Sequence, residues 1–381
     1  MSHFEVGGAD EKKVEYIELI FDLIFVYIVG RNNSLLHSVH DGFIGADAYL
    51  TYILTTVIAL HIWYFTIVFI NRHGAVGAAQ YVGLLITMYL LYYMADGTRV
   101  EWQTHYVRYN TAWALIMVNL AVQYLIILKK NGGLRPWEDA QMKRDIINLF
   151  IEAAIIFASI PLFFATKVPL SPVAVVYGVI AAAVTRRSNL LGPLDFSHLT
   201  ERVMLYVVFS FGEMIIGIAG YFEGGITLRN IYFSVMGFLI VVGLFLSYGF
   251  VYDHIIDREM RAGDSGYMML HVFLITALNN LTVALEFMRE PEISAIPKNT
   301  FLVVSFLVYF MFLFLLENYA KESLRATGRF YAKLAVAAAA FTALMAAFYK
   351  NGMISIAVTA AFVFSVYIML WLFKKSRTPA I

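Results

Sequence analysis

Glu15, Glu18 and Asp22 stand at i, i+3 and i+7 and share one helical face, Asp22 lying about 10 Å along the axis from Glu15. They open an otherwise apolar stretch. A second group opens another: His198-Leu-Thr-Glu201-Arg202, then Gly212-Glu213 about 15–20 Å further along, between Val207-Val208-Phe209 and Met214-Ile215-Ile216. An ionisable residue at the centre of a membrane helix costs about 2.5–3.5 kcal/mol to insert, so such groups mark ion or proton sites by default. The bland alternative is a carboxyl kept neutral by burial or paired with an arginine for structure. His198 and His271 could relay protons near neutral pH. Arg72 and Arg202 could hold an anion or tune the carboxyls. His198 and Glu201, at i and i+3, could also offer two ligands to a metal, but Arg202 beside them opposes a cation. No metal and no cofactor is expected.

The weaker polar residues read as packing. His61 is expected to be a hydrogen-bonded packing residue, and Glu152 to pair with Arg108 or a histidine. Asn119 and Gln123, one turn apart, and Asn279 and Asn280 are expected to join helices by hydrogen bonds.

The elements that must position these groups follow from composition. Of 381 residues 60% are apolar and 14% charged, with a mean hydropathy of +0.71. A soluble domain carries roughly 25% charge, so a soluble enzyme is excluded. A net charge of +1 gives no field for nucleic acid. The absence of cysteine removes disulfides, thiolate metal sites and cysteine catalysis. The chain reads as an all-α membrane protein with about twelve spans of roughly 20 residues, the sixth over 169–187. Short connectors such as Asn131-Gly132-Gly133 and Arg261-Ala262-Gly263-Asp264 separate them.

With a cytoplasmic N-terminus, about 20 of the 28 lysines and arginines fall on the inner side. They include Lys12, Lys13, Lys129, Lys130, Lys321, Lys374 and Lys375. Both termini are then cytoplasmic. Arg72, His198, Glu201, Arg202, Asp253 and His271 then start or end spans on the side from which Glu18 and Asp22 enter. If they converge they form one polar vestibule; if not, they are separate caps. Shifting the sequence by about 190 residues aligns the spans one to six with seven to twelve. This divides the chain into halves 1–190 and 191–381 and sets Asp22 against Glu213. Such halves would be parallel repeats with a site between them.

Glu18-Leu-Ile-Phe-Asp22-Leu-Ile-Phe25-Val resembles the E-L-F-F-D-L-V-F-V opening of the low temperature requirement A (LtrA) family. His198-Leu-Thr-Glu201-Arg202 with Gly212-Glu213 resembles its H-x-x-E-R…L-G-E-S segment. Trp63, Arg72, Tyr252-Asp253 and His271 fall at family positions. Met214 replaces the usual serine and Phe211 the usual leucine. The resemblance implies a multi-pass bacterial inner-membrane protein linked by name to growth in the cold, and no settled activity. A partial similarity to the lysosomal potassium channel family rests on Phe21-Asp22, where that family carries F-S-D at the start of a six-span repeat.

The expected function is a secondary transporter or ion pathway. Its site residues would be Glu18, Asp22, Glu201, Arg202 and Glu213, then His198, Asp253, His271 and Arg72. Its partners would be the lipid bilayer and a small solute or ion, with a homodimer left open. The alternatives are an intramembrane enzyme acting on a lipid or isoprenoid from the cytoplasmic side, and a non-catalytic scaffold for cold adaptation.

Overall fold

A computed structural model describes residues 14–74, 77–96, 98, 102–130, 136–187, 194–222, 225–260 and 266–377. Lys12, Lys13 and the two connectors named above lie outside the described residues. Twelve α-helices follow in order: α1 Tyr16–Asn33, α2 Ala46–His73, α3 Ala78–Asp96, α4 Trp102–Lys130, α5 Pro136–Thr166, α6 Pro172–Arg187, α7 Phe196–Ala219, α8 Leu228–Phe250, α9 Gly266–Phe287, α10 Ala295–Leu315, α11 Gly328–Ala347 and α12 Gly352–Arg377. Eleven of these runs are long and apolar enough to cross a membrane. The exception is α6. Its 16 residues reach about 24 Å, short of a hydrocarbon core of about 30 Å. The cause is local. Lys167 adopts a positive φ of 60°, and the chain then passes Pro169 before Pro172 starts the helix, where a missing N–H costs nothing.

Helix ends follow their residues. Asp195 caps α7 by accepting from the His198 N–H at 3.0 Å, and Thr227 caps α8 by accepting from the Asn230 N–H at 3.1 Å. Gly74, at φ 76°, closes α2 by donating to the Ile70 carbonyl at 2.7 Å. After α8 the chain widens into a π-helical turn over Val251–Ile255.

One core runs through nearly all helices. Within the first half α1 packs on α2 and α3, α3 on α4, α4 on α5, and α6 on α5 and α2. The same pairs, six helices on, pack in the second half. The halves meet where α1 and α2 touch α7 and α9. Along this seam α1 and α7 run parallel. Glu18 and Asp22 lie beside Arg202, and Gly30 lies beside Glu213.

Candidate functional site

The fully buried face of α1 presents Glu18 and Asp22 to α7, and both are 0% exposed. Arg202, also 0% exposed, comes from α7. Its Nε donates to Asp22 Oδ2 at 3.0 Å and its Nη2 to Asp22 Oδ1 at 2.7 Å, the two-pronged geometry that a guanidinium and a carboxylate share. Nη1 donates to Glu18 Oε2 at 2.6 Å. Trp63 of α2 adds its indole N–H to Asp22 Oδ1 at 3.0 Å. The Trp63 ring lies 4.8 Å from that of Tyr206.

His198 sits one turn before Arg202 on α7. Its Nε2 is 3.3 Å from Glu18 Oε2, without good hydrogen-bond alignment. On its other side Asn71 Nδ2 faces His198 Nδ1 at 3.3 Å. Asn71 is itself held by the backbone of Asp195, donating to its carbonyl and accepting from its N–H, each at 2.9 Å. The end of α2 is thereby tied to the start of α7. Replacing Trp63 with phenylalanine removes one charge-assisted hydrogen bond to Asp22. It is expected to cost about 1.5–3 kcal/mol, read as a lower unfolding temperature of the purified protein in detergent.

Of the nine residues singled out from sequence, Glu18, Asp22, His198 and Arg202 converge, and they form a closed cluster. The others lie elsewhere. Glu201 is half-buried on another face of α7, within electrostatic reach of Tyr252. Asp253 is exposed on the π-helical turn. Arg72 turns to Asp145 of α5, 3.6 Å away. His271 is buried between two tyrosines, its Nε2 3.2 Å from the Tyr248 hydroxyl and its Nδ1 2.8 Å from the Tyr267 carbonyl oxygen. That carbonyl can only accept, so Nδ1 carries the proton.

Glu213 is not level with Asp22. It lies beside Gly30, eight residues and about 12 Å further along α1. There it forms a second, half-buried group with Glu286 of α9, which is within electrostatic reach. Glu286 Oε2 is 3.1 Å from His37 Nε2. Two glycines make the space. A β-carbon on Gly30 would come within 3.1 Å of Glu213 Oε2, and one on Gly217 would collide with the Glu286 carboxylate. Sequence reading missed Glu286 and His37, which stand at the ends of their helices, where charge is cheap. It also missed Asn71 and Asp195. The one available signal was Gly217, a helical turn after Glu213 on the same face.

A further buried pair lies in the first half. His61 Nε2 and Glu152 Oε2 are 3.0 Å apart. His61 therefore has a carboxyl partner, as one of the two options for Glu152 required, and Arg108 instead pairs with Asp96 at 2.8 Å. Asn119 joins α4 to α3 as expected, donating to the Gly83 carbonyl and the Thr87 hydroxyl, each at 2.8 Å. Among the described residues no group of three or more His, Cys, Asp or Glu side chains is placed to hold a metal.

Helices of this length and hydropathy, enclosing a buried ion cluster where α1 and α2 meet α7 and α9, define a multi-pass α-helical membrane protein. The family model described as bacterial low temperature requirement A protein (LtrA) matches residues 13–366. The chain belongs to the LtrA family. No curated protein and no solved structure matches it.

Proposed function

We propose that the protein is an ion pathway or secondary transporter of the bacterial inner membrane, worked by carboxylates on the α1–α7 seam. One observation carries this reading. The seam holds acidic groups at two depths within otherwise apolar helices, Glu18 and Asp22 at one level and Glu213 with Glu286 about 12 Å beyond. Two parallel six-helix repeats meeting there would let one half rock against the other. The matching neighbour pairs of the two halves support the repeat. The lysine and arginine bias supports cytoplasmic termini, which puts the Arg202 cluster nearer the cytoplasm and Glu213 nearer the outside.

Proton and alkali-cation flux into proteoliposomes tests the reading. Wild-type protein is expected to conduct or exchange, and Asp22→Asn and Glu213→Gln are expected to fall to the level of protein-free vesicles while remaining folded. Unchanged flux in both folded variants removes the seam as the route. Wild-type vesicles silent to every cation tried remove the simple ion pathway.

A further inference from the structure

The buried cluster holds more negative than fixed positive charge. Glu18 and Asp22 contribute two carboxylates and Arg202 one permanent cation, all 0% exposed. The remaining member is His198, and its protonation can be read from its neighbours. Asn71 is locked in one orientation, because its Oδ1 accepts from the Asp195 N–H and its Nδ2 donates to the Asp195 carbonyl. The group facing His198 Nδ1 is therefore an N–H donor. Nδ1 must accept, so the ring proton sits on Nε2, towards Glu18. A second ring proton on Nδ1 would point at that donor, so this hydrogen-bond geometry fits the ring with a single proton. The cluster then carries one uncompensated negative charge.

Among the described residues, neighbouring elements do not supply the missing cation. On α2, His61 is engaged by Glu152, Arg72 by Asp145, His73 lies against Tyr124, and Asp47 stands at the far end. The one charged residue of α3 is Asp96, which pairs with Arg108. On α9, His271 is enclosed by Tyr248 and Tyr267, and Glu286 pairs with His37 at the far end. On α7, Glu201 and Glu213 add negative charge; on α1, Arg31 lies nine residues and about 13 Å beyond Asp22; and Glu15, just before α1, is exposed.

We propose that the cluster binds one exchangeable proton and that Glu18 Oε1 carries it. Both oxygens of Asp22 are occupied by Arg202, and Oδ1 also accepts from Trp63. Glu18 Oε2 accepts from Arg202. Glu18 Oε1 is the one carboxylate oxygen of the cluster that is buried without a hydrogen-bond partner. A buried carboxylate oxygen in that position is costly, and an O–H bond formed there neutralises the cluster without breaking any other bond. A metal cation fits less well, since hard cations require about six or more oxygens and a single unpartnered oxygen is offered. As the coupling ion, this proton rests on the pathway reading above. As a bound proton, it stands on the cluster alone.

Infrared difference spectra of the full chain in lipid nanodiscs, taken across a pH titration, test it. A protonated-carboxyl carbonyl band is expected, shifted by 13C-glutamate but not by 13C-aspartate labelling. It should be absent in Glu18→Gln and retained in Glu152→Gln and Glu213→Gln. Should Glu18→Gln fail to fold, Asp22→Asn answers instead. With one carboxylate against Arg202 the cluster is neutral without the proton, so the same band should vanish. A band that shifts with aspartate labelling, or that survives at full intensity in Glu18→Gln or in Asp22→Asn, overturns the assignment. So does the absence of any such band. The band without flux would keep the bound proton and remove the pathway; flux without the band would keep the pathway and remove the proton from Glu18.

Discussion

Arg202→Met is expected to destabilise the folded protein by about 3–5 kcal/mol, the usual cost of stripping one partner from a buried ion cluster. Its guanidinium serves Asp22 on two prongs and Glu18 on a third, and none of these carboxylate oxygens can reach water instead. Arg202→Lys keeps the charge but not the planar fork, and should fall between wild type and Arg202→Met. The informative variant is the triple replacement Glu18→Gln, Asp22→Asn, Arg202→Met. Replacing a whole buried ion group by apolar residues of similar volume is often neutral or stabilising; the Gln and Asn amides stay polar but carry no charge, so the triple variant should recover part of what Arg202→Met alone loses. Thermal unfolding in detergent, followed as the fraction remaining monodisperse, measures all three. A triple variant no more stable than Arg202→Met would show that the loss is one of packing rather than of charge.

A second large effect is expected at Gly178, where α6 meets α5 and α2. A β-carbon there would strike Glu152 Oε1 and crowd the His61 ring, and Glu152 is 0% exposed and His61 7%. Overpacking costs about 1–3 kcal/mol. Here the obstacle is a hydrogen-bonded pair whose separation would strand a buried carboxyl, so Gly178→Val should lie at or beyond the top of that range. Gly212 makes the contrast, since a β-carbon on it meets nothing within 4 Å. Gly212→Ala should leave stability unchanged or raise it by about 0.5–1 kcal/mol, the usual helical preference for alanine. Unfolding temperatures of the two variants, measured side by side, decide the matter. Equal temperatures would mean that α6 can move away from the pair.

The convergence of Glu18, Asp22, His198 and Arg202 was legible because a membrane span makes each ionisable residue expensive, so few stand there without a partner. The spacing on α1 fixed the face. Their partnership with α7 was foreshadowed by opposite charge at matching ends of two spans. The rest was hidden for physical reasons. Asn71 and Asp195 look like ordinary helix-end residues, and their work depends on backbone geometry between α2 and α7. Arg72 shares a span end with them yet turns to Asp145, a difference of direction around one helix that spacing alone does not resolve. Glu213 is set against Asp22 by the sequence shift but lies about 12 Å from its level, because helix contact follows packing rather than alignment. The shortness of α6 was written in Pro169 and Pro172, but a hydropathy window averages across them.

The joining of α1 to α7 also constrains how the chain is made. Asp22 and Arg202 are 180 residues apart. At about 5–20 residues per second, the ribosome delivers Arg202 some 10–40 s after α1 has emerged. Throughout that interval α1 carries its acids with no counter-charge from α7, and its hydropathy of 1.4 is among the lowest of the spans. Lateral release of α1 into lipid is therefore unfavourable until the seventh helix arrives. A nascent chain arrested before α7 is therefore expected to hold its first helix less firmly in the bilayer than the full chain does.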